Sequence, residues 1–258
     1  MIKIYALYVV CCVVMACSRS FYVKEKLLAC PNVTAPMIPQ DSLEQLFSMN
    51  KKFHPKIKSA ALVALSRYPE LKNTKIEFIF KNITATMETR PKINFAVLTK
   101  HRTYQVFINL NKGKNKALDI DSLSETVKIG WIAHELGHII DYESRNAFSL
   151  FMMAPYYVWV PSFKRNIEQS VDIITIRHSC GYEHCEGVEY LLYKSNATEA
   201  YKKRNVTYYL PIEKMNVEMC KCHWKYPSVF ESIFYFISKN KYQPLWDFIE
   251  VAPTFMSK

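Results

Sequence analysis

Glycine is scarce in this chain, with five residues in 258. That argues against glycine-rich phosphate loops, and neither a P-loop nor G-x-G-x-x-G is present. Internal repeats and low-complexity tracts are also missing, which excludes solenoids and biased linker arrays. No apolar run reaches the roughly 20 residues that a membrane-spanning helix needs. The longest are residues 4–16, with 13 positions, and residues 147–160, with 14. The net charge is +11, yet no helix-turn-helix, zinc finger or RNA-binding signature accompanies it. Nucleic acid is therefore not an expected partner. An anionic membrane or envelope surface suits the charge better, with simple solvation as the bland alternative. Half of the residues are hydrophobic and 14% are aromatic, enough to bury the core of one domain.

Against those absences stands His134-Glu135-Leu136-Gly137-His138, an H-E-x-x-H pentapeptide. On a helix, residues four apart share a face, so both imidazoles can reach one zinc ion. Glu135 is then placed to take a proton from water at that ion. The context is helical. Ser122 and Glu125 form S-x-x-E, the pattern of a capping box. Leu123, Val127, Trp131, Ile132, Leu136, Ile139 and Ile140 follow near helical spacing. A core helix that carries two histidines by accident is the competing reading.

A catalytic zinc usually takes three protein ligands and keeps one open position. Position 141 is Asp and position 144 is Ser, which excludes the longer glycine-and-histidine motif of the metzincins. Glu168 is the expected third ligand. It follows His138 by 30 residues, on a segment whose Ile167, Val171 and Ile174 make a helical stripe. A ligand on a separate helix leaves room for water, whereas Asp141 and Glu143 would crowd or miss the histidine face. Asp172 shares a helix face with Glu168 and is expected to hold a ring nitrogen of a ligating histidine.

The H-E-L-G-H motif followed by E-x-x-x-D resembles the gluzincin branch of the zincin metallopeptidases. Residues 75–215 also resemble a family of bacterial exported metallopeptidase-like proteins. The stretches that carry this are Tyr104 to Asn109, H-E-L-G-H-I-I-D-Y, Phe163-Lys164-Arg165, Tyr201-Lys202-Lys203-Arg204 and Tyr209-Leu210-Pro211. The resemblance implies zinc on His134, His138 and Glu168, with Asp172 behind them and Glu135 as general base. It implies a zinc-dependent peptide-bond hydrolase with a peptide or protein substrate. A Tyr or His is expected to bind the oxyanion, with His178, Tyr182 and His184 as candidates. The alternative is a non-catalytic, envelope-anchored binding or scaffold protein that keeps a metal-bound zincin fold.

Lys3 and the apolar run behind it read as a signal peptide over residues 1–16. Val14-Met15-Ala16-Cys17 resembles a bacterial lipobox, which makes Cys17 the lipidated first residue of an exported, membrane-anchored lipoprotein. Ordinary cleavage after Ala16, giving a secreted soluble protein, is the alternative. Residues 17–40 read as a tether and 41–258 as one zincin-like metallopeptidase domain. Cys180 and Cys185 are a candidate disulfide, and Cys30 could pair with Cys220 or Cys222.

The expected fold is α+β. Helices are expected at residues 41–50, opened by Asp41 and Glu44, and at 55–68. Strands are expected at 75–83, 93–98 and 103–110, the last two as a hairpin before the metal helix. Residues 104–109 are the expected edge strand, able to align an extended peptide over the zinc. The apolar stretch 147–160 is expected to pack in the core, with a membrane-dipping loop or a greasy substrate wall as alternatives. The C-terminal half is expected to be mainly helical.

Overall fold

The computed structural model describes residues 39–93, 102–110 and 120–225. The signal peptide, Cys17, Cys30, the tether through residue 38, residues 94–98 of an expected strand and residues 226–258 lie outside the described residues. So do the side chains of Cys220 and Cys222.

The chain is a mixed α+β fold with one small sheet and a mostly helical second half. It opens with α1 (Gln40–Phe47), β1 (Lys51–Lys52), a 3-10 turn (Pro55–Ile57) and α2 (Lys58–Ser66). Strands β2 (Lys75–Lys81), β3 (Met87–Pro91) and β4 (Thr103–Asn109) follow. Then come α3 (Glu125–Glu143), α4 (Ala147–Trp159), α5 (Pro161–Thr175), α6 (Gly181–Glu189), α7 (Glu199–Tyr208) and α8 (Ile212–Lys225).

The sheet order is β1-β2-β4-β3. β1 and β4 run parallel to β2, and β3 runs antiparallel to β4. This corrects the expectation for residues 104–109. β4 is central, paired along its length by β2 on one side and β3 on the other. Its strict alternation, with Tyr104, Val106 and Ile108 buried, reports that one face is covered. Alternation carries no information about hydrogen bonding at the strand's sides. Among the described residues β3 holds the edge instead, with Met87–Pro91 as the antiparallel partner of β4; residues 94–98 of the expected hairpin strand lie outside the described residues.

Two caps also differ. α3 is capped by Ser124, whose hydroxyl accepts from the Val127 amide at 3.2 Å, and not by Ser122. α1 begins after Pro39, which has no side chain to accept, and Asp41 sits in its first turn.

α2 and the sheet sandwich α3. Ala61, Leu62 and Leu65 join Ile76, Tyr104, Val106, Ile132, Leu136 and Ile139 in the main core. Tyr68 donates its hydroxyl to the Ala133 carbonyl at 2.7 Å, which pins α3 one residue before His134. α6 packs so close to α3 that a Cβ on Gly130 would lie 2.1 Å from the Glu183 carbonyl oxygen. The chain turns into α6 through an irregular segment, Ile176–Cys180, where Ser179 takes a left-handed φ of 60°. Arg67 braces it, donating to the Ser179 carbonyl at 2.6 Å and pairing with Glu183 at 2.7 Å.

Cys180 and Cys185 are buried free thiols, which overturns the expected disulfide. Cys180 belongs to the main core, whereas Cys185 packs with Ile176, Val188, Leu210 and Met215 in a second cluster. α4 corrects the expectation of core packing for 147–160. Only its Met153 is buried, and Phe148, Phe151, Val158 and Trp159 face outward.

Candidate metal centre

α3 places His134, Glu135 and His138 on a buried stretch, with relative exposures of 5%, 6% and 7%. α5 approaches from the other side and brings Glu168, at 1%, and Asp172, at 0%. His134 Nε2 lies 3.3 Å and His138 Nε2 3.5 Å from the same oxygen, Glu168 Oε2. His134, His138 and Glu168 could therefore hold one metal ion. A second group of possible donors is His134, Asp172 and His184.

The distances separate the two groups. His184 Nε2 is 2.7 Å from Asp172 Oδ1, a hydrogen-bond length between an N–H and a carboxylate. The Leu210 amide donates to Asp172 Oδ2, also at 2.7 Å. His134 Nδ1 lies 2.9 Å from Asp172 Oδ1, close to the oxygen but off the line of a good hydrogen bond. Asp172 thus accepts from His184 and Leu210 and lies beside His134 Nδ1. The spacings around Glu168 Oε2 are longer than a charged hydrogen bond prefers. One imidazole cannot offer both nitrogens to two ions without losing both protons. The first group is therefore the better candidate for an ion, with Asp172 facing His134 from behind.

The titration directions agree with that division. Burial alone would raise the Glu168 carboxyl, but contacts from His134 and His138 hold it well below the usual range. Burial likewise opposes ionisation of Asp172, and the charge of His184 with the bond to His134 brings it down to about 2. Burial would depress His134. Asp172 and Glu168 outweigh it and push the metal-free ring up to about 10. Burial pushes the Glu135 carboxyl up, against the pull of His138 and His134. Its Oε2 and His138 Nδ1 have no partner among the described residues.

Comparison with family models, curated proteins and solved structures finds no match for this chain.

Beside His134 and Glu135 lies a cavity of about 70 Å³, room for several waters, lined by neither His138 nor Glu168. Its walls are the entry to β3 at Ala85 to Met87, the α3 face of Trp131, His134 and Glu135, and Tyr201, Arg204 and Tyr209. Tyr201 ties α7 to the strand, since its hydroxyl takes the Thr86 amide at 2.9 Å. Of the residues considered for an oxyanion contact, His184 lines this cavity, and its buried Nδ1 has no partner among the described residues. His178 is stacked on Tyr68, with Nε2 3.3 Å from Glu70, and Tyr182 points to solvent. Asp141 is turned away from the ion position and chelated by Arg145 at 2.6 and 2.8 Å.

Tyr157 is the residue that sequence reasoning missed. Its hydroxyl donates to Glu168 Oε1, leaving Oε2 for the histidines. It sits 11 residues before Glu168 across the α4–α5 turn, and no motif marks it.

Proposed function

We propose that the chain is a zinc-dependent peptide-bond hydrolase of the gluzincin type, with a zincin-like fold. The supporting observation is the spacing of the three donor atoms. A tetrahedral ion with bonds of about 2.0–2.1 Å has ligand–ligand edges of about 3.3–3.4 Å. The two edges to Glu168 Oε2 are 3.3 and 3.5 Å. Two imidazoles and one carboxylate at that spacing, with a cavity for several waters beside His134 and Glu135, suit a zinc site with one open position.

When bound there, zinc would supply a Lewis acid and an ionisable water near neutral pH. Everything else falls to the protein. Tyr157 holds one oxygen of Glu168 so that the other faces the histidines. Asp172 fixes the His134 ring from behind. Glu135 lines the cavity and is buried, with a carboxyl raised toward the range where it can both take and return a proton. It would accept the proton of an attacking water and pass it to the leaving amine. The cavity begins at the edge strand β3, so an extended peptide could add there by backbone hydrogen bonds. The leader and Cys17 add the proposal of an exported lipoprotein of the cell envelope.

The test is Glu135→Gln in the full chain. Zinc stoichiometry should stay unchanged while hydrolysis of an unstructured protein such as casein falls by about 10²-fold or more. Hydrolysis equal to that of the unaltered chain would sink the hydrolase reading and leave the scaffold alternative.

A further inference from the structure

α4 is an apolar helix on the outside of the protein. From Ala147 to Trp159 it carries no charged side chain. A helix that is apolar all round belongs in a core or at a membrane. This one rests on α5 through Met153, which meets Ile167 and Val171. Leu150 and Tyr157 also pack against that cluster, and the outer side carries Phe148 at 63%, Phe151 at 76%, Val158 at 72% and Trp159 at 77% exposure. Positions 148, 151, 155 and 158 follow helical spacing, so these side chains form one stripe. Continuous surface of that kind marks an interaction site.

The charges around the stripe identify its partner. Between Glu143 and Glu168 the chain holds no acid, and its charges are Arg145, Lys164 and Arg165. Arg145 is spent on Asp141. Lys164 and Arg165 open α5, directly after the apolar helix. Lys164 Nζ is cradled 4.8 Å from the ring centres of Tyr157 and Tyr208. Arg165 reaches across to the Thr207 carbonyl at 2.8 Å, next to Arg204 of the same α7. Among the described residues, none of Lys164, Arg165 and Arg204 has a carboxylate partner in an ion pair. A second copy of this chain across a two-fold axis would set the two cationic rims against each other. Anionic lipid headgroups complement the rim, and the aromatic stripe suits the region just below them.

We propose that α4 docks the protein on an anionic membrane surface. Phe148, Phe151, Val158 and Trp159 enter the boundary between headgroups and acyl chains, and Lys164 and Arg165 meet lipid phosphates. Tyr157, on the same helix, touches Glu168, so the membrane lies at the rim of the metal centre. The inference stands whether or not the centre hydrolyses peptides.

The test uses the full chain with vesicles of phosphatidylcholine and phosphatidylglycerol, part of the lipid brominated to quench tryptophan. Quenching should appear in the unaltered chain and fall sharply in Trp159→Phe. Phe151→Asp, at a position already exposed and therefore neutral for folding, should weaken partitioning about tenfold or more. Pure phosphatidylcholine vesicles should bind about tenfold more weakly, since two cations lose their lipid partners. Three results overturn the proposal. One is no vesicle binding. Another is binding whose quenching is the same in Trp159→Phe, which places the contact near a different tryptophan and not at α4. The last is Phe151→Asp dissociating a dimer while leaving vesicle binding unchanged.

Discussion

Asp172→Asn separates support of a metal ligand from ordinary packing. The carboxylate is fully buried and faces His134 Nδ1 at 2.9 Å, His184 Nε2 at 2.7 Å and the Leu210 amide at 2.7 Å. Asparagine has the same shape but only one accepting oxygen. If that oxygen turns to the imidazoles, its NH2 meets the Leu210 N–H. If it turns to Leu210, the NH2 meets the imidazole protons. Either way a buried donor loses its acceptor, at about 1–3 kcal/mol. Ionisation gives a second route to the size. The carboxyl stands at about 2 instead of 3.8. A carboxyl held that far below its usual value contributes about 2 kcal/mol of stability. Because the folded value is the lower one, that contribution is complete above about pH 4 and is lost as pH falls toward 2. The variant of the metal-free protein should thus melt at lower temperature at pH 7, with the gap closing in acid. Its zinc affinity, read by competition with a chelating dye, should fall about 10- to 100-fold, the usual cost of removing a carboxylate behind a ligating histidine. An unchanged zinc affinity with reduced stability would refute the role given to Asp172 and leave it a packing residue.

Gly130→Ala should destabilise the fold by about 1–3 kcal/mol or more, because its Cβ would enter the Glu183 carbonyl and both partners are backbone in packed helices. Chemical denaturation of the metal-free protein measures this, and an unchanged midpoint would contradict the close packing of α3 on α6. Zinc binding at pH 7 should release about one proton, since metal-free His134 is held up to about 10 and must free Nε2 for the ion. Calorimetry in buffers of different ionisation enthalpy counts that proton, and no buffer dependence would mean that His134 is neutral before binding.

The parts of the fold and site that the chain discloses are those set by spacing within one element. Residues 134 and 138 share a helix face because they are four apart, and 168 and 172 do so on the next long helix. Alternation in residues 104–108 marked a half-covered strand. What spacing cannot carry is which neighbour lies alongside. β4 reads the same at the edge or in the centre, and only the pairing with β2 and β3 distinguishes them. An apolar run reads the same in a core or on a surface, so 147–160 reads as core although only Met153 is buried and Phe148, Phe151, Val158 and Trp159 are exposed. The α3 cap lies at Ser124 rather than Ser122 because a hydroxyl bond to the Val127 amide won over the sequence pattern S-x-x-E. Tyr157 and His184 reach the centre through tertiary approach alone, the first to Glu168 and the second to Asp172.

Anomalous diffraction at the zinc edge from zinc-loaded crystals locates the ion directly. One peak should lie about 2.0–2.2 Å from His134 Nε2, His138 Nε2 and Glu168 Oε2, with Asp172 still beside His134 Nδ1. A peak among His134 Nδ1, Asp172 and His184 instead, or none at either group, would contradict that placement.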